Sequence, residues 1–241
     1  MNLRNNILYI KFKHTYIYLS SLKRKREYRN VIVNKKTKLV VEGFPRSANT
    51  FAYNLFEKVF INMGLNPKRI AHHTHSAAQI IYGVKHKIPV VVLIREPISA
   101  VTSLIIMKNL KNKNFREISD LYLKQYISFY NKIKEQKDNV IVADFKEIIN
   151  DYNRIIERVN NKYRRNFCLL EQETEEKELM IEKIKNDTIK KFKNDYKKLS
   201  IPSNQKDDYK RKISPIVEKS KYSKEATELY MLIKNNNNYI H

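Results

Sequence analysis

Three groups of residues in this chain have the types and spacing to hold an anion and move a proton. The first lies in "VVEGFPRSANTF", residues 40–51. An apolar run there enters a short turn and then a helical pattern, and the first N–H groups of such a helix make an anion site. Against the nucleoside-triphosphate template G-x-x-x-x-G-K-[ST], Gly43 takes the first glycine and Thr50 the hydroxyl position. Ala48 stands in place of the second glycine and Asn49 in place of the lysine. The positive charge has moved to Arg46, three positions before Asn49. A loop without the lysine is poorly equipped to stabilise charge between β- and γ-phosphates, so Arg46 suits another anion. The plainer reading is a strand–turn–helix with no ligand.

The second group is Arg95 and Ser103, in "VVVLIREPISAVTSLIIM", residues 90–107. Arg95 leaves the C-terminal end of a buried run, where open α/β sheets bind ligands. A helix opened by Pro97 carries Ser103 about two turns further on, so both side chains can reach one phosphate. An ion pair with a carboxylate such as Asp144 is the rival role for Arg95. A hydroxyl bonded to its own helix backbone is the rival for Ser103.

The third group is His72, His73 and His75 in "AHHTHSAAQ", residues 71–79. Histidine titrates near neutrality and serves as a general base or a metal ligand. On a strand, His73 and His75 face one way and His72 the other. Three ligands within four residues of one strand do not converge, and no Cys or acidic partner is close by, so the site is read as metal-free.

The elements that must position these groups alternate. Lys38 to Gly43 reads as a short buried strand, Asn49 to Met63 as a helix, and Arg69 to Thr74 as a second strand. Ser76 to His86 is a helix with a serine N-cap, and Pro89 to Ile94 a β-branched strand buried on both faces. A helix from Pro97 to Met107, a longer one from Arg116 to Glu135, and the strand Asn139 to Ala143 with Asp144 beyond it complete the core. This order argues for an α/β fold of three layers: a central, mostly parallel sheet flanked by helices, with extra helices at both termini. The chain is read as one domain over 1–241. It comprises a basic N-terminal helical extension (1–37), a nucleotide-binding core (38–160) and a charged helical region (161–241) broken by Pro202.

"GFPRSANTF" resembles the 5′-phosphosulfate loop of sulfotransferases that use 3′-phosphoadenosine 5′-phosphosulfate. That family shows an aromatic residue, Pro, Lys or Arg, Ser, Gly, Thr or Asn, and Thr; Ala48 departs from the glycine. "VVVLIREPISAVTSLIIM" is similar to the family's 3′-phosphate motif, an Arg after a buried strand and a Ser eight residues on. His73-Thr74-His75 stands where cytosolic members carry Lys-Thr-His. The resemblance spans roughly residues 38–150 and implies a P-loop-type fold. It implies that Arg46, Ser47, Ala48, Asn49 and Thr50 hold the 5′-phosphate of the donor, and Arg95 and Ser103 its 3′-phosphate. It makes His75 the general base and puts His73 beside the transferred sulfuryl group. Asp144 matches an acidic residue that ends a core strand, and is read as a helix N-cap or an Arg partner. The family's C-terminal Arg-Gly loop is missing from "IPSNQKDDYKRK", residues 201–212, where Arg211, Lys210 or Ser203 would take over, or the segment is a solvated basic face.

Composition bounds the partners. The 241 residues carry a formal charge of +23 with 42% hydrophobic residues, enough for a real core. The charge suits polyanionic partners, but Lys, Asn, Ile and Tyr also share AT-rich codons. The single cysteine, Cys168, fits a reducing cytosol and a structural thiol. The first 26 residues mix apolar and basic types, too interrupted for a membrane span or a secretory signal. They fit a basic amphipathic helix against a membrane or partner, or a solvated helix over the core. The expected activity is sulfuryl transfer to a small-molecule, glycan or lipid acceptor, without metal and without nucleic acid. The rival readings are a non-catalytic nucleic-acid-binding protein and a P-loop nucleotide kinase or NTPase.

Overall fold

Four short apolar segments pair side by side, all parallel, in the order β2-β1-β3-β4. They are β1 (Leu39–Gly43), β2 (Ile70–His72), β3 (Val90–Ile94) and β4 (Ile141–Asp144). The computed structural model describes residues 31–109, 114–171, 173–192 and 207–235. In β1 and β3 every residue is buried, as expected for parallel strands covered on both faces.

Successive strand residues point to opposite sides, and the core divides accordingly. Val40, Val90, Val92, Ile94 and Val142 pack with α2 (Ala77–Lys85), α3 (Pro97–Lys108), α4 (Phe115–Lys134), α8 (Asp207–Glu218) and α9 (Ser223–Asn235). Leu39, Val41, Val91, Leu93 and Ile141 pack with α1 (Asn49–Asn62), α5 (Phe145–Asn150), α6 (Tyr152–Tyr163) and α7 (Glu173–Phe192). Helix, sheet and helix thus form three layers. Gly43 is needed for strand packing: a Cβ there would lie 2.5 Å from the Leu93 carbonyl oxygen on β3. Cys168 sits half-buried against the second cluster, its thiol 3.7 Å from the Val59 carbonyl.

Strand register brings Gly43, Ile94 and Asp144 to the same edge, with Gly43 opposite Leu93 and Ile94 opposite Asp144. The chain leaves β1 toward β2 on one side and later reaches β3 on the other. The crevice between the carboxyl ends of β1 and β3 is therefore a topological switch point, the position where open α/β sheets take ligands.

Two expectations change. Residues 31–37, read as the end of a helical extension, are turns and extended chain. Ile32 and Val33 are buried, and the Val31 carbonyl accepts the His72 N–H at 3.0 Å. The segment satisfies the open edge of β2, which otherwise exposes unpaired backbone groups. The second strand ends at His72 rather than Thr74, for a reason that lies in the site. Residues 1–30, Pro202 and Ser203 fall outside the described residues.

Candidate active site

The loop after β1 closes through backbone conformations that side-chain-bearing residues rarely adopt. Arg46 has φ 73° and Ala48 φ 65°. Ala48, at the glycine position, is the N-cap of α1 and left-handed, which explains why glycine suits this place. No side chain caps α1, so the N–H groups of its first turn keep the anion-attracting character of a helix N-terminus. Asn49 is 5% exposed and donates its amide to the Phe44 carbonyl at 2.9 Å. Ser47 is fully buried. The Asn49 amide thus braces the loop from inside.

From β3, Arg95 reaches back to this loop and donates from Nη1 to the Arg46 carbonyl at 2.9 Å. Arg46 donates from Nε to Ser103 Oγ on α3, also at 2.9 Å. The Arg95 guanidinium lies 4.1 Å from the centre of the Phe145 ring, and its own carbonyl accepts the Tyr126 hydroxyl at 2.8 Å. Burial, then Arg95, pushes the Arg46 guanidinium down to about 10. Burial likewise lowers Arg95, against the pull of Glu96 and Asp144. Two like charges taken from water side by side are costly alone and are favourable around an anion. Arg95 and Ser103 thus meet through Arg46, joining what the sequence divided between two phosphate sites.

The histidines lie on the loop after β2. His73 and His75 are left-handed, with φ 56° and 51°, so the alternation expected of a strand does not apply. His75 donates from Nδ1 to the Gly43 carbonyl at 2.9 Å. A carbonyl only accepts, so the ring proton sits on Nδ1 and the neutral ring keeps its lone pair at Nε2. His73 Nε2 lies 3.2 Å from Thr50 Oγ1 on α1, and its Nδ1 meets His72 Nδ1. His72 stacks on Tyr53 with centroids 3.8 Å apart, and burial pushes it down to about 4, so it stays neutral at pH 7. Among the described residues no group of three or more His, Cys, Asp and Glu side chains is placed to hold a metal ion.

One functional candidate escaped the sequence reading. Glu42, the carboxylate inside β1, is 0% exposed and binds the histidine loop directly. The signal was a charged residue within an apolar strand, immediately before the loop. Asp144 closes a capping box with Glu147 at the start of α5 and accepts the Tyr230 hydroxyl at 2.6 Å, matching the N-cap role expected of it. Arg211 lies on the surface. It is exposed on α8 and bonds Asp208 at 2.6 Å, as Lys210 bonds Asp207. One helical turn supplies those aspartates, so these basic residues are paired along their own helix.

No protein-family model matches the chain, and no curated protein matches it. Among solved structures it is similar to the crystal structure of mouse sulfotransferase SULT7A1 complexed with PAP. The match has 12% identity and a TM-score of 0.53, and covers 92% of this chain and 94% of that one. The likeness establishes a shared fold: this chain has a sulfotransferase-like α/β architecture.

Proposed function

We propose that this protein is a sulfotransferase. It would move a sulfuryl group from 3′-phosphoadenosine 5′-phosphosulfate to the hydroxyl or amine of a small-molecule, glycan or lipid acceptor in the cytosol. The observation that carries the reading is the interlocked set Arg46, Arg95 and Ser103 at the β1/β3 switch point, with His75 anchored on Gly43 beside it. The fold shared with a sulfotransferase complexed with PAP supports it.

The residues present fit such a donor. Arg46, Arg95, Ser103 and the uncapped N-terminus of α1 form a donor set whose bonds to one another end on a hydroxyl and a carbonyl. Arg46 and the loop N–H groups would hold the 5′-phosphate and stabilise the charge that grows there on transfer. Arg95 and Ser103 would hold the 3′-phosphate. When bound, the donor supplies a sulfuryl group already activated on phosphate. His75 would take the acceptor's proton at Nε2, the Gly43 carbonyl keeping its ring in that tautomer. Thr50 and His73 would flank the transferred group. Such transfer relies on positioning more than on covalent chemistry. A triphosphatase is disfavoured because Asn49, in the lysine's place, turns its amide inward onto Phe44.

The test is transfer of labelled sulfate from the donor across a panel of small-molecule, glycan and lipid acceptors. Label in at least one acceptor class is the expected result. No transfer to any of them, with ATP hydrolysis instead, refutes the reading.

A further inference from the structure

Strand β1 carries one carboxylate in an otherwise apolar sequence, and its surroundings are unusually specific. Glu42 Oε1 accepts the Thr74 N–H at 2.7 Å, the Thr74 hydroxyl at 2.9 Å and Gln79 Nε2 at 2.7 Å. Oε2 accepts the His75 N–H at 3.0 Å. Gln79, itself 0% exposed, accepts the Val33 N–H through Oε1 at 2.8 Å. Burying a charge is expensive even when it is hydrogen-bonded. An aliphatic side chain would pack in this strand without that cost, so the carboxylate is explained by what it holds.

What it holds is the histidine loop. His73 and His75 flank Thr74 in left-handed backbone conformations, which persist only where surrounding bonds impose them. β1 grips His75 at two points: the backbone N–H on Glu42 Oε2 and ring Nδ1 on the Gly43 carbonyl. The first sets where the ring is carried, and the second sets its tautomer. This grip also explains why the strand does not run on to Thr74, since the Thr74 and His75 N–H groups turn to the carboxylate instead of a strand partner.

We infer that Glu42 is the positioning residue of this site: by capturing the N–H groups of Thr74 and His75, its carboxylate holds the His75 ring on Gly43 with Nε2 presented for proton transfer. The inference rests on the reading of His75 as the base. Glutamine in this place has nearly the same volume but replaces one acceptor oxygen with an NH₂ donor. That donor faces either the His75 N–H or the Thr74 and Gln79 donors, so Glu42→Gln releases the loop without opening a cavity.

The experiment compares wild type with Glu42→Gln in three readouts: kcat for sulfuryl transfer, affinity for adenosine 3′,5′-bisphosphate, and the imidazole nitrogen NMR spectrum. Glu42→Gln is expected to lower kcat at least 30-fold while bisphosphate affinity stays within 3-fold. His75 is expected to change from a single Nδ1–H tautomer to an averaged pair. Glu42→Asp keeps the charge and is expected to fall between the two; it carries the same readouts if the glutamine variant does not fold. A kcat within 3-fold of wild type, or an unchanged His75 tautomer, overturns the proposal. Loss of bisphosphate binding together with kcat overturns it too, since Glu42 would then support the whole loop region. If wild type transfers no sulfuryl group, the functional reading fails, and the nitrogen spectra still decide whether Glu42 positions His75.

Discussion

Arg46 Nε and Ser103 Oγ are joined by a 2.9 Å hydrogen bond that ties the loop after β1 to the helix after β3. Arg95 completes the link through the Arg46 carbonyl. The loop and the helix therefore behave as one anion-binding unit, and the geometry of Arg46, not only its charge, matters to both.

Arginine and lysine should then differ sharply at this position. Arg46→Lys keeps the charge but lacks an N–H part-way along a planar fork. Both Arg46→Lys and Arg46→Ala are expected to weaken adenosine 3′,5′-bisphosphate binding 10- to 100-fold, about 1.4–2.7 kcal/mol. Ser103→Ala is expected to cost less than either. Calorimetric titration of the three variants checks the order. Because burial, and then Arg95, disfavour the Arg46 charge, Arg46→Ala should not lower the melting temperature of the free protein.

Removing the proposed base should separate chemistry from binding. His75→Ala is expected to lower kcat by a factor of order 10²–10⁴, with bisphosphate affinity little changed. Steady-state kinetics beside a binding titration distinguishes this from a loss of donor affinity.

Ala48 offers a test of the loop itself. Its φ of 65° suits glycine, so Ala48→Gly should relieve left-handed strain and stabilise the fold by about 0.5–1 kcal/mol. That corresponds to a rise of roughly 1–4 °C in melting temperature. Ala48→Val, β-branched in the same conformation, should do the opposite. Differential scanning calorimetry of the two variants reads both signs.

Glu42 should make stability depend on pH in a definite direction. Burial pushes its carboxyl from 4.5 up to about 7, while bonds from Thr74, His75 and Gln79 pull the other way. The groups that face it are those three, from the loop after β2 and from α2. A folded-state pKa above the unfolded one means the fold holds an extra proton between them. The contribution is complete below 4.5 and is lost as pH rises through about 7. The stability of wild type relative to Glu42→Gln should therefore fall between about pH 5 and about pH 8, by a few kcal/mol at most. Urea unfolding of both proteins across that range measures it; a difference that grows with pH contradicts the assignment.

Much of the fold that carries the candidate site was legible in residue types and order. The β-branched run before Arg95, the proline after it and the periodic apolar residues after Thr50 all reflect burial in a parallel sheet and its helices, which local sequence records directly. The cap at Asp144 was legible for the same reason, since its bonds are made within four residues. What escaped were long-range bonds. The histidine loop looked like strand because its alternation is strand-like; its true path is set by Glu42, more than thirty positions away. The pairing of Arg211 with Asp208 depends on helical phase, which charge in the sequence does not show. The burial of Ser47 and Asn49 was hidden too, because it follows from a tight turn through left-handed Arg46 and Ala48.

The central claim is that this loop selects a donor carrying both a 5′- and a 3′-phosphate. Its most direct test is parallel titration of the purified protein with adenosine 3′,5′-bisphosphate, adenosine 5′-monophosphate and ATP with Mg²⁺. The expected result is binding of the bisphosphate at least ten times tighter than either rival, with that margin lost in Arg95→Ala. Equal affinity for all three, or tightest binding of ATP with Mg²⁺, would contradict it.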